Sequence, residues 1–224
     1  MGEPRYIGKD VPRFDAPAKV TGRARYADDL SLPGMLIGKL LRSPLAHANI
    51  TAIDVSRAKA LKGVRAVITG QDLPARYGIL PISQDECALA IGRVRYVGEP
   101  VAAVAAVDEE TAAEALDLIR VQYAPLAACL DIEAAAAEGG LHKAISYEFG
   151  EKPAQAPALE RSDLFFYEGN THLPLEQHAA LAVWEGDKLT LRCSSQTPFH
   201  LRQIVAKVFG NAEQWVDLYQ ANDD

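Results

Sequence analysis

Residues 94–123, VRYVGEPVAAVAAVDEETAAEALDLIRVQY, decide the fold. A short strand is expected over 94–97, followed by a turn at Gly98-Glu99-Pro100. Residues 101–107 are then almost wholly apolar, the pattern of a strand covered on both faces. Asp108 ends the run and is a good N-cap, since its carboxylate can accept a main-chain N–H of the first helical turn. Glu109 and Glu110 place negative charge beside the positive helix end. Ala112, Ala115, Leu116 and Ile119 then share one helical face, and 120–123 reads as another strand. The order β-α-β predicts a layered α/β domain. The 107–109 loop has no glycines to cradle a phosphate, which excludes the dinucleotide fingerprint.

Upstream, residues 1–19 carry Pro4, Pro12 and Pro17 amid mixed charge and read as an extended arm. Gly22 marks a turn before an expected short strand, and Leu32-Pro33-Gly34-Met35 is a second turn. Residues 36–42 and 49–55 alternate as strands do, with a bend at 43–48 between them. Ser56 is the expected cap of a short helix over 57–61, ended by Gly63, and 64–69 is a further strand. Residues 76–90 read as irregular.

Downstream the register changes. Residues 131–140, DIEAAAAEGG, suit a short helix or a linker with a double-glycine stop, and 141–160 reads as a surface connection. Strands are expected over 161–168 and 178–185. A Gly186-Asp187 hairpin turn leads to a strand over 188–194. Thr197 and Pro198 open a helix with Leu201, Ile204, Val205 and Val208 on one face and Gly210 at its end. Residues 211–224 are acidic and weakly periodic.

The 224 residues carry a net charge of −7, so nothing in the chain favours release of counterions from a nucleic-acid backbone. The opening MGEPRYIGKDVPRFD has no apolar core of a secretory signal, and no stretch is long and apolar enough to span a bilayer, so the cytoplasm is the expected location. Cys87, Cys129 and Cys193 are widely spaced and odd in number, which suits reduced thiols and not a disulfide framework or a CxxC metal site.

Three blocks, in order, resemble the large molybdenum-binding subunit of the xanthine dehydrogenase and aldehyde oxidase family. They are KVTGRARYADDLSLPGMLIGKLLRSPLAHANI at 19–50, VGEPVAAVAAVDEETAAEALDLI at 97–119, and EGNTHLPLEQHAALAVWEGDKLTLRCSSQTPFHLRQIVAKVFG at 168–210. The likeness covers roughly residues 14–210, and within it NTHLPLEQH at 170–178 is most similar to the 4-hydroxybenzoyl-CoA reductase type. The resemblance implies an α/β (α+β) architecture: an arm over 1–19, an a/b hammerhead domain over 20–127, a linker over 128–160, the start of the molybdopterin-binding domain over 161–210 and a divergent tail over 211–224. It implies molybdopterin in the complete enzyme, often as the cytosine dinucleotide in bacteria, with 2Fe–2S clusters and FAD on partner subunits. Most members hydroxylate an activated C–H position with oxygen from water, and the benzoyl-CoA type removes a phenolic hydroxyl reductively.

The family's GGFGG loop and catalytic glutamate have no counterpart in these 224 residues, so no catalytic residue is expected here. The chain reads as the N-terminal portion of a large subunit, silent alone, with a non-enzymatic docking module or one half of a split subunit as rival readings. Where many members place a glutamine near an apical molybdenum ligand, this chain has Asn170, an amide one methylene shorter, as the expected cofactor-binding residue. His172, Glu176 and His178 match a two-histidine, one-carboxylate metal site only loosely and are expected to make structural hydrogen bonds. Ser194-Ser195-Gln196 lacks a GxSxG elbow, with His200 expected on a helix surface, and His47 and Asp28-Asp29 are expected to serve turns.

Overall fold

A computed structural model describes residues 6–78, 83–138, 145–150, 159, 161–171, 173–174, 176–210, 213 and 216–220. In chain order its elements are α1 (Ala16–Val20), β1 (Ile37–Arg42), β2 (Ala48–Asp54), α2 (Ser56–Ala60), β3 (Val64–Thr69), β4 (Arg76–Tyr77), β5 (Glu86–Cys87), β6 (Arg93–Val94), β7 (Pro100–Ala106), α3 (Glu109–Leu118), β8 (Arg120–Pro125), α4 (Ile132–Ala137), β9 (Ala180–Glu185), β10 (Lys188–Cys193), α5 (Pro198–Phe209) and β11 (Val216–Gln220).

β7 is the centre of the first domain. It lies between β1 and β3 in one antiparallel sheet, while β2 lies between β6 and β8 in another. Ala102, Val104 and Ala106 of β7 pack with Ala112, Ala115 and Ile119 around α3, and Val101 packs in a second cluster with Ala48 and Val94. The apolar run is therefore covered from both sides, as its composition demands. Asp108 caps α3, its Oδ1 accepting from Thr111 N at 2.7 Å.

The helices do not make parallel crossovers here. β1 and β3 occupy both edges of β7, so β8 pairs instead with β2, antiparallel and in the other sheet. Likewise β2 and β3, joined by the five-residue α2, belong to different sheets. A parallel return would need a longer connection than α2 provides. The helix is also capped differently from expectation: Asp54 Oδ1 accepts from Ser56 N at 2.9 Å, and Ser56 is already the first helical residue.

Three further expectations change. Residues 16–20 of the expected extended arm are helical, and no strand follows Gly22, because Arg23 N and Ala24 N bond back to Ala18 O at 2.8 and 3.0 Å and close the end of α1. The strand expected over 94–97 shrinks to β6. Residues 161–168 form no strand and are exposed.

In the second domain, β9 and β10 form the expected hairpin, with Gly186 at φ 61° at the first loop position, where primed two-residue turns use glycine. α5 follows and ends at Gly210 in the left-handed conformation. β11, within residues 211–224, then pairs parallel with β10, and Leu189, Ala206 and Val216 form the small core of this β10–α5–β11 crossover. No helix among the described residues is long and apolar enough to cross a membrane.

Candidate functional site

The segment between the linker and β9 carries the residues to which the sequence directs attention. Asn170 is exposed, and its Nδ2 donates to the Tyr167 hydroxyl at 3.3 Å. Three residues on, Leu173 holds a φ of 43°, a left-handed conformation uncommon for a residue bearing a side chain. No composition signal marks this conformation at Leu173. His172 lies outside the described residues.

Beyond Leu173 the Glu176 side chain anchors the segment. Glu176 is only 7% exposed, and its Oε1 accepts from the main-chain N of Ala27, itself 4% exposed, at 3.1 Å. That bond joins the segment to the turn before β1, 149 residues earlier in the chain. His178 is exposed while Glu176 is buried, and among the described residues no group of three or more His, Cys, Asp or Glu is placed to hold a metal ion. The carboxylate ties two domains together; that is the use the geometry gives it.

The neighbouring polar groups are committed to the backbone. Ser194 Oγ donates to Gln177 O at 3.3 Å, and Ser195 Oγ accepts from Thr197 N at 3.3 Å at the start of α5. Cys193 is a buried free thiol whose pKa is raised from 9.0, first by burial and then by the Glu176 carboxylate. In the first domain, Asp29 Oδ2 accepts from Tyr26 N at 2.9 Å, which is turn chemistry. His47 Nδ1 lies 2.6 Å from Ala127 O; a carbonyl can only accept, so that nitrogen carries the proton and fastens the end of the domain.

A groove of about 780 Å³ runs between the domains. Leu32, Met35 and Ile37 line one wall, and Leu181, Val183 and Trp184 the other. The first wall is built from the turn before β1 and the start of that strand, the second from β9, and both strands are terminal in their sheets. The two-residue hairpin and the bond from Ser194 N to Ala179 O fix the alternation of the β9–β10 ladder. By that alternation the N–H groups of Ala180, Ala182 and Trp184 point away from β10, toward the open edge.

The described residues do not by themselves fit a pterin cofactor. Around Asn170 they provide one amide on an exposed segment, already donating to the Tyr167 hydroxyl.

Both domains of the chain are similar to known proteins. Residues 21–127 match the aldehyde oxidase and xanthine dehydrogenase a/b hammerhead domain, and residues 140–222 match the molybdopterin cofactor-binding domain, a stretch that includes β11. The chain is 37% identical over 219 residues to a probable xanthine dehydrogenase subunit of Bacillus subtilis, covering 92% of this chain and 29% of that protein. It is 31% identical to the nicotinate dehydrogenase large molybdopterin subunit of Eubacterium barkeri, covering 96% of this chain and 53% of that one. Among solved structures, quinoline 2-oxidoreductase from Pseudomonas putida 86 superposes with a TM-score of 0.74 at 31% identity, over 96% of this chain and 30% of that chain. Aldehyde oxidoreductase from Desulfovibrio gigas gives a TM-score of 0.73 at 26% identity, over 94% and 26%.

Proposed function

The chain belongs to the aldehyde oxidase and xanthine dehydrogenase family, carrying its hammerhead domain and the opening of its molybdopterin-binding domain, and from that premise we propose that it is the N-terminal portion of a molybdenum hydroxylase large subunit. The observation that carries the proposal is the presence of both domain types, in order, on one polypeptide that spans 29% of one relative and 53% of another. The reaction belongs to the complete assembly, in which the remainder of the large subunit supplies the metal-site loop and the catalytic carboxylate. Partner subunits bearing 2Fe–2S clusters and FAD carry the electrons away. The chain alone binds no molybdenum and turns over no substrate. One half of a split large subunit would behave identically.

The hammerhead spans 20–127, residues 128–160 connect it, and 161–210 begins the cofactor-binding domain, with β11 extending the fold beyond residue 210. In the complete subunit Asn170 would be the residue of this chain that offers a side-chain amide to the molybdopterin. The cofactor, whether molybdopterin itself or its cytosine dinucleotide, performs the redox chemistry, and the protein supplies position and proton transfer. Quinoline and nicotinate, named for two relatives, are nitrogen heteroaromatics, which favours a heteroaromatic substrate for the assembly. A 4-hydroxybenzoyl-CoA reductase activity rests on the 170–178 block alone.

Metal and pterin analysis of the chain expressed alone, and with the remaining large-subunit polypeptide and both electron-transfer subunits, tests the proposal. Molybdenum and pterin are expected only in the assembly, and Asn170→Ala is expected to loosen their retention more than Asn170→Gln. Stoichiometric molybdenum on the isolated chain would overturn it.

A further inference from the structure

The run Leu164-Phe165-Phe166-Tyr167 is the least reconciled feature of the chain. Its four side chains are 91, 90, 84 and 82% exposed, consecutive, and outside any ladder. Phe and Tyr are residues that favour strands, and polar Asp163 and Glu168 bound the run at strand-like length. In an extended conformation Leu164 and Phe166 face one way, and Phe165 and Tyr167 the other. Both faces are therefore apolar. A strand with one face in water would alternate with polar residues, whereas one apolar on both faces belongs inside a layered structure.

We infer that residues 164–167 are an interior β-strand of a composite sheet whose neighbouring strand and covering layers come from the remainder of the large subunit. The inference rests on the subunit reading above. Two further observations specify the partner. The chain spans only 29% of the Bacillus subtilis relative, so most of such a subunit is available to supply the missing layers. The edge of β9, with the outward N–H groups of Ala180, Ala182 and Trp184, is a second place in the same domain where a strand can pair, which suits a partner that supplies β-structure.

The area involved suits a stable interface. A buried aromatic residue contributes about 150–250 Å², so the three rings alone offer roughly 450–750 Å². That approaches the ~800 Å² per partner of a standard protein interface and reaches the upper range of apolar patches that monomers leave in water. The partner is thus a polypeptide that lends a hydrogen-bonding strand edge and an apolar surface on each side.

Hydrogen–deuterium exchange on the full chain tests this, alone and co-expressed with the part of the Bacillus subtilis relative that lies beyond its matched region. Alone, the amides of 165–167 are expected to exchange at the rate of an unstructured peptide while β7 stays protected. In the complex their exchange is expected to slow at least 100-fold. Protection in the chain alone at low concentration would overturn the inference by showing an intramolecular partner, and protection that grows with concentration would overturn it in favour of a second copy. A complex without protection at 165–167 would overturn it and leave the subunit reading intact, whereas absence of any complex would count against both. As an independent measurement, Phe165→Ser with Phe166→Ser is expected to leave the melting of the isolated chain unchanged and to abolish co-purification. A lowered melting temperature would show that the rings already pack within this chain, and retained co-purification would show that the partner does not use them.

Discussion

Glu176→Ala should release the turn before β1 without disturbing the sheet behind it. The Glu176 carboxylate accepts from Ala27 N at 3.1 Å, and both residues are buried. A hydrogen bond to a charged acceptor contributes about 1.5–3 kcal/mol, and removing the acceptor strands a buried N–H that water does not reach. Relief of the carboxylate's own desolvation offsets part of the loss, so about 2 kcal/mol is expected to separate the variant from the parent in local opening. At 1.4 kcal/mol per tenfold, amides around residue 27 should then exchange about 30-fold faster. Glu176→Gln keeps a carbonyl acceptor at the same reach and should raise exchange only about threefold, reflecting the weaker neutral bond. The assay is hydrogen exchange read on peptides covering 24–30, with peptides covering β7 as the internal reference. Unchanged exchange at 24–30 in the alanine variant would refute the reasoning. So would an equal acceleration in β7, which would mean that the residue supports the whole fold and not a local tie.

Gly70→Ala should destabilise the hammerhead, because its Cβ would lie 2.7 Å from Leu89 O, Ala90 O and Ile91 Cγ1; overpacking of this kind costs about 1–3 kcal/mol, and a fall in melting temperature of roughly 10 °C is the expected readout. Cys193 should alkylate far more slowly than exposed Cys129 at mildly alkaline pH, since burial and then Glu176 raise its pKa above 9.0; the stabilisation tied to the protonated thiol is complete below that value and is lost as pH rises through the folded one, visible as falling stability in alkaline melts. The hydrogen bond from Arg13 lowers the Asp15 pKa from 3.8 to about 2, so NMR titration of Arg13→Ala should return it toward 3.8; the contribution of Asp15 to stability is present above 3.8 and fades as pH falls toward 2.

The first domain was legible because its signals are local and agree with one another. The Asp108 cap, the face of α3 and the unbroken apolar run of β7 each needed only a few neighbouring residues to be read. Pairing was not legible in the same way. Nothing within 94–123 announces that β1 and β3 will flank β7 and push β8 to another sheet, since those partners lie tens of residues away. The Ser56 cap failed for a subtler reason, because the Asp54 carboxylate accepts from Ser56 N and the helix starts one residue early, which leaves Val55 at the cap position and Ser56 inside the first turn. β11 was hidden by composition: Val216 and Leu218 alternate with Asp217 and Tyr219 over only five residues, and Asp217 finds its use in an ion pair with Lys188 at 2.6 Å on the adjacent strand. At the candidate site, Asn170 could be singled out from the family pattern, but the anchoring of Glu176 to Ala27 joins residues 149 apart and has no local signature.

One rule accounts for both the clearest success and the clearest failure. A continuous apolar run marks a strand that needs cover on both faces. At 101–106 that cover lies within the chain, with α3 contributing to one cluster and β2 and β6 to the other, and the strand forms where the sequence places it. At 164–167 the same pattern finds no ladder and stays exposed. Reading such a run as "strand" is therefore a statement about the environment the residues require, and only the rest of the polypeptide decides whether that environment is present. If so, restoring the missing layers should turn 164–167 from an unprotected stretch into one protected like β7, with no substitution in the chain itself.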